Sequence, residues 1–158
     1  MEKIGLFFGS FNPVHKGHIN IAKFALNEVK LNKVFFILSP LNPFKMGRKN
    51  ILLDVNHRYE ILKLATEKYK NMIPSDIEFA MKKPNYTFDT LAKLENIYPK
   101  KKFYIIMGSD NFKYFNKWKD YEKILTKYKL LIYPRYGEEK NSFLIKYNSV
   151  TFLKGSFF

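Results

Sequence analysis

The 158-residue chain has no cysteine, which excludes a disulfide framework and a thiolate metal site. It has no run of 18 uninterrupted apolar residues, so nothing in it reads as a membrane span. The first apolar run, Ile4 to Phe8, is cut by Gly9 and is too short for a signal peptide. These absences imply a cytoplasmic home. Arginine is scarce: only Arg48, Arg58 and Arg135 among 28 basic residues. Acidic residues number 14, leaving a formal charge of +14.

A basic balance of this size attracts polyanions. The lysines are scattered, however, and Lys100-Lys101-Lys102 is the longest run. The chain is also rich in Asn, Ile, Phe and Tyr, residues that share A/T-rich codons with Lys. Genome composition therefore accounts for much of the charge, and dispersed charge argues against a dedicated nucleic-acid site. At 46% hydrophobic residues the chain can bury one sizeable core, and its length fits a single domain over residues 1–158.

Short apolar runs alternate with segments of helical period. Strands are expected at 4–8, 34–38, 77–79, 103–107, 128–133 and 149–153. Helices are expected at 17–30, from Asp54 as N-cap with Val55, Ile61-Leu62 and Leu64-Ala65 inward, at 87–97, and in short pieces at 111–116 and 120–127. This alternation predicts an α/β fold, a Rossmann-like open parallel sheet flanked by helices. Ligands of such sheets bind beyond the carboxyl ends of the strands. The unusual residues collect there: Gly9 to His18, Pro40 to Lys45, Gly108 to Asp110, and Pro134-Arg135.

The strongest local signal is Gly9-Ser10-Phe11-Asn12-Pro13-Val14-His15-Lys16-Gly17-His18. Gly9 permits a sharp turn, and backbone N–H groups near Ser10 and Phe11 can face a phosphate. Gly17 and His18 open a helix whose N-terminus favours an anion. His15 and His18, three residues apart, reach the same spot beside it. Two of the chain's three histidines share this turn, which favours a ligand role over core packing. A zinc pair is the other option, weakened by the lack of a third ligand nearby.

The turn resembles the His-x-Gly-His signature of the nucleotidyltransferase superfamily, whose members have a Rossmann-like fold. Further segments narrow the match: Pro40-Leu41-Asn42-Pro43-Phe44-Lys45, Pro84-Asn85-Tyr86-Thr87-Phe88-Asp89-Thr90-Leu91, Met107-Gly108-Ser109-Asp110, Trp118-Lys119 and Tyr133-Pro134-Arg135. In this order they resemble the bacterial nicotinate-nucleotide adenylyltransferases, over residues 4 to about 136.

The resemblance implies a reaction in NAD biosynthesis. The 5′-phosphate of nicotinate mononucleotide attacks the α-phosphorus of ATP, giving a dinucleotide and pyrophosphate. It implies catalytic roles for His15, His18 and Lys45, and ATP contacts at Gly9, Ser10, Phe11, His15, His18, Gly108, Asp110 and Arg135. Acceptor contacts fall to Lys45, Tyr86, Thr87 and Trp118. Simpler roles stand beside these: Lys45 as one solvated lysine among many, Thr87 and Asp110 as helix caps, Trp118 as core. The expected partners are ATP and nicotinate mononucleotide, with Mg²⁺ arriving on ATP and no protein-built metal cage. A homo-oligomer is left open.

One family feature is missing. The Ser-Ser-Thr-x-x-Arg type motif is expected where this chain ends at Phe157-Phe158, so the reading includes C-terminal truncation. Alternatives are a nicotinamide mononucleotide or phosphopantetheine acceptor, or a noncatalytic basic nucleic-acid module.

Overall fold

The computed structural model describes residues 1–40, 53–134 and 148–154. Among these residues six strands form one sheet: β1 (Lys3–Gly9), β2 (Lys33–Leu38), β3 (Met72–Ser75), β4 (Lys102–Gly108), β5 (Lys129–Tyr133) and β6 (Val150–Phe152). Their order is β3-β2-β1-β4-β5-β6, and every pairing is parallel. Strand order reverses between β1 and β4, which opens a crevice at their carboxyl ends.

Parallel strands need crossovers, and the helices that supply them cover both faces. α1 (Lys16–Glu28) and α2 (Val55–Thr66) lie on one face. α3 (Thr87–Ile97) and α5 (Tyr121–Lys127) lie on the other, with the single-turn α4 (Ser109–Phe112) after β4. Side chains alternate across the sheet: Phe7, Phe36 and Ile106 join the α1–α2 core, while Leu6, Ile37 and Ile105 join the α3–α5 core. Burial on both faces explains why these strands read as unbroken apolar runs rather than alternating ones. Among the described residues no helix is long and apolar enough to cross a membrane.

Three local expectations differ from the structure. The third strand is Met72–Ser75, not 77–79, which forms a turn with the Phe79 N–H donating to Asp76 O at 2.9 Å. This strand holds Pro74 and sits at the sheet edge, where a missing N–H is tolerated. The helical piece at 111–116 divides into α4 and a separate 3₁₀ turn, Phe115–Lys117. On α2 the expected Val55, Ile61, Leu62 and Ala65 do pack on the core, joined by the buried Arg58 and Thr66, but Leu64 is 70% exposed.

Candidate active site

β1 ends at Gly9 and the chain turns into α1 through Ser10 to His15. The left-handed residue of this turn is Phe11, with φ 41°, rather than Gly9. A non-glycine residue pays strain there, and such conformations persist where surrounding contacts hold them. Phe11 is buried against Phe7, Phe36 and His18, with ring centroids 5.4, 5.5 and 5.1 Å apart. Gly9 contributes space instead: a Cβ there would meet the Phe11 ring at 3.1 Å.

His15 caps α1. The Gly17 N–H donates to His15 Nδ1 at 3.0 Å, and the His15 N–H donates to His18 Nδ1 at 3.1 Å. Their ring centroids are 3.9 Å apart. A nitrogen that accepts a hydrogen bond keeps its lone pair there, so in each neutral ring the proton resides on Nε2. The Nε2–H of His15 is thereby a donor beside a helix N-terminus, an arrangement suited to phosphate oxygens. Gly17 is required by close approach, since a Cβ would lie 2.8 Å from His15 Cε1.

The two histidines open onto a cleft of about 460 Å³ at the β1/β4 crevice. Gly9, Ser10, Phe11 and Asp110 line it on the turn and β4 side, and Thr87 and Trp118 line it farther along. Gly108 closes β4 behind Asp110, where a Cβ would meet Asp110 Oδ1 at 2.5 Å and the Tyr133 ring at 2.9 Å. Tyr86 is not among the lining residues. It is exposed, with Lys119 Nζ 5.2 Å from its ring centroid and Lys119 paired to Asp89 at 3.0 Å. Thr87 is the first residue of α3 and Tyr86 holds the cap position, so Thr87 is not the N-cap. Likewise Asp110 lies inside α4, whose cap position is Gly108. Trp118 is half-buried, its ring packed on Phe115 at 4.9 Å, so it serves the core and the cleft together. Lys45 and Arg135 lie outside the described residues.

Several cleft residues carried no role in the sequence reading. Glu78 is only 2% exposed and lines the cleft. Burial raises its pKa from 4.5 to about 7, against the opposing hydrogen bond that Thr90 Oγ1 donates to Oε2 at 2.7 Å. The Ser39 hydroxyl also favours the charged form. Asn85 donates from Nδ2 to the Glu78 carbonyl at 3.3 Å, while its Oδ1 is buried with no hydrogen-bond partner among the described residues. No sequence pattern marks Glu78, because its burial is created by β2 and α3 meeting around a turn.

Arg58 was equally unassigned, although a signal existed. It occupies the inward stripe of α2, between Val55 and Leu62, where an unpaired cation is costly. Its Nε donates to Leu53 O at 2.9 Å, Nη1 to Ser10 O at 2.8 Å and Ser39 O at 3.1 Å, and Nη2 to Pro40 O at 3.2 Å. Asn12 Oδ1 accepts the Leu53 N–H at 2.8 Å, a second tie between the turn and α2.

Among the described residues no group of three or more His, Asp or Glu could hold a metal ion. The described lining offers two imidazoles and two carboxyls, a set that suits an ion carried in on phosphate oxygens better than a resident one.

The Cytidylyltransferase-like family pattern matches residues 6–155. A probable nicotinate-nucleotide adenylyltransferase of Flavobacterium psychrophilum is 46% identical over 133 residues, 84% of this chain and 68% of that protein. A similarly described protein of Carboxydothermus hydrogenoformans is 40% identical over 98% of this chain and 74% of its own length. Among solved structures, Plasmodium falciparum nicotinic acid mononucleotide adenylyltransferase complexed with NaAD superposes with a TM-score of 0.83. It covers 99% of this chain and 78% of the other at 20% identity, a likeness of fold.

Proposed function

The chain belongs to the nicotinate-nucleotide adenylyltransferase family of cytidylyltransferase-like nucleotidyltransferases, and from that premise we propose how its cleft works. It transfers AMP from Mg-ATP to nicotinate mononucleotide in NAD biosynthesis. A 5′-phosphate oxygen of the acceptor forms a bond to the α-phosphorus of ATP. The bond from that phosphorus to the bridging oxygen breaks, and pyrophosphate leaves with the electron pair. Products are nicotinate adenine dinucleotide and pyrophosphate.

The observation that carries this reading is the paired imidazoles, each held by a backbone N–H at Nδ1, in the lining of the cleft. Such a transfer requires alignment and charge stabilisation rather than a protein nucleophile. His15 and His18 donate from Nε2 to the ATP phosphates as charge shifts toward the leaving group. The turn from Gly9 to Phe11 and the N-terminus of α1 add backbone donors. Lys45 and Arg135 supply further positive charge in this reading. Asp110 and Gly108 belong to the nucleotide side, and Thr87 and Trp118 to the acceptor side, with the indole against the pyridine ring. Mg²⁺ enters as part of the substrate, on phosphate oxygens and water. Both substrates are anions that do not cross bilayers unaided, so the reading includes a cytoplasmic location.

The test is incubation with Mg-ATP and, separately, nicotinate mononucleotide, nicotinamide mononucleotide and phosphopantetheine, with pyrophosphate and dinucleotide quantified. Turnover with nicotinate mononucleotide at least tenfold above the others supports the assignment. Preference for another acceptor, or no turnover with any, overturns it.

A further inference from the structure

We infer that Arg58 is a positioning residue for the nucleotide side of the cleft: it holds the β1–α1 turn with its N–H groups toward the ligand and sets a fixed positive charge directly behind it. The inference rests on the proposed ATP reading and adds a residue from outside the cleft wall.

The argument begins with the peptide unit. A trans peptide points its C=O and the following N–H in opposite directions. Arg58 Nη1 draws the Ser10 carbonyl inward at 2.8 Å, so the Phe11 N–H of that same peptide points the opposite way. Ser10 and Phe11 both line the cleft. The same guanidinium draws in the Ser39 and Pro40 carbonyls, which follow β2. Three carbonyl oxygens that would otherwise be free to turn toward an anion are thus engaged by one cation.

A second observation is the strain at Phe11, whose φ of 41° lies where side chains are disfavoured. The Arg58–Ser10 bond adjoins it and helps hold the chain in that conformation. A third is charge. Arg58 is 2% exposed, and its guanidinium donates to the carbonyls of Leu53, Ser10, Ser39 and Pro40. Desolvation draws its pKa down and Asp54 opposes this, but a guanidinium stays protonated at any working pH. The described cleft lining contains no lysine or arginine, so Arg58 is the cation one residue behind it.

Lysine keeps the charge but lacks the planar fork that reaches several carbonyls at once. Arg58→Lys is therefore compared with wild type for binding of Mg-ATP by calorimetry, for steady-state kinetics, and for thermal unfolding. The expected result is a folded variant with ATP affinity weaker by about 10- to 100-fold, while acceptor KM changes less than threefold. Equal affinity for ATP in a folded variant would overturn the inference and leave Arg58 a stability residue. Should the variant not fold, the wild-type chain decides by NMR. Saturating Mg-ATP shifts the Phe11 amide and the Arg58 guanidinium resonances if the inference holds, and leaves both unmoved if it does not. Failure of wild type to bind Mg-ATP at all sinks the functional reading itself, and this inference with it.

Discussion

The imidazoles of His15 and His18 lie 3.9 Å apart, and each is tied through Nδ1 to a backbone N–H of the same turn. Nδ1 of each ring thus serves the start of the helix, while Nε2 is the atom assigned to phosphate in the proposed reaction. Structure and catalysis can therefore be separated atom by atom. In His15→Asn the new Oδ1 takes the place of Nδ1 as cap acceptor, and asparagine is among the best N-caps. Stability should stay within about 1 kcal/mol of wild type. Activity should fall by about 100-fold or more, because the Nε2 donor is gone. Urea unfolding and kcat/KM for ATP measure the two, and an active variant would remove His15 from the transition state.

Gly17→Ala tests the same geometry from the other side. Alanine favours a helix over glycine by about 1 kcal/mol, so secondary structure alone predicts a neutral or stabilised protein. Yet the added Cβ would lie 2.8 Å from His15 Cε1 and 3.0 Å from Nδ1. The ring must move, and displacement of a reacting group by about 1 Å costs on the order of 100-fold in rate. A variant with unchanged Tm and unchanged kcat would show that His15 does not need its present place.

Glu78 gives a pH signature in stability. Its pKa is raised from 4.5 to about 7 in the fold. The native state therefore holds this proton more tightly than the unfolded chain does. The resulting stabilisation is fully present below pH 4.5 and is lost as pH climbs to about 7. The change attributable to this group is about 3 kcal/mol. Urea unfolding of Glu78→Gln at pH 5 and pH 8 should show a smaller loss across that interval than wild type. Parallel losses in the two proteins would count against a buried, protonated Glu78.

Trp118 is the only tryptophan, so fluorescence near 340 nm reports on it alone. Nicotinate mononucleotide should change that emission in wild type, whereas ATP alone should change it little. Trp118→Ala should raise the acceptor KM about tenfold by removing ring stacking, with ATP KM nearly unchanged. Equal effects on both substrates would place the indole in the core rather than at the pyridine ring.

Much of the fold was legible because its elements are marked by local chemistry. Apolar runs of strand length appear at residues 4–8 and 103–107, and the described strands extend them by one residue at each end. Asp54 announces α2, and its carboxylate accepts from the Asn56 and His57 N–H groups at 3.1 and 3.3 Å. The missed strand at Met72–Ser75 is short, edge-placed and contains proline, so its pairing with β2 depends on a neighbour that sequence periodicity does not see.

The sequence by itself determined the parallel α/β plan, the position of the Gly-bounded turn, and the pairing of two histidines at a helix start. Those features follow from residues close together in the chain, where period, capping and spacing act directly. Only the tertiary structure decided that Arg58 shares the buried face of α2 and reaches the carbonyls of Ser10, Ser39 and Pro40. Glu78 likewise owes its neutral tendency to the exclusion of water by elements packed around it, which outweighs the hydrogen bond donated by Thr90, 12 residues away. A buried polar group acquires its character from the partners and solvent that the whole fold leaves it.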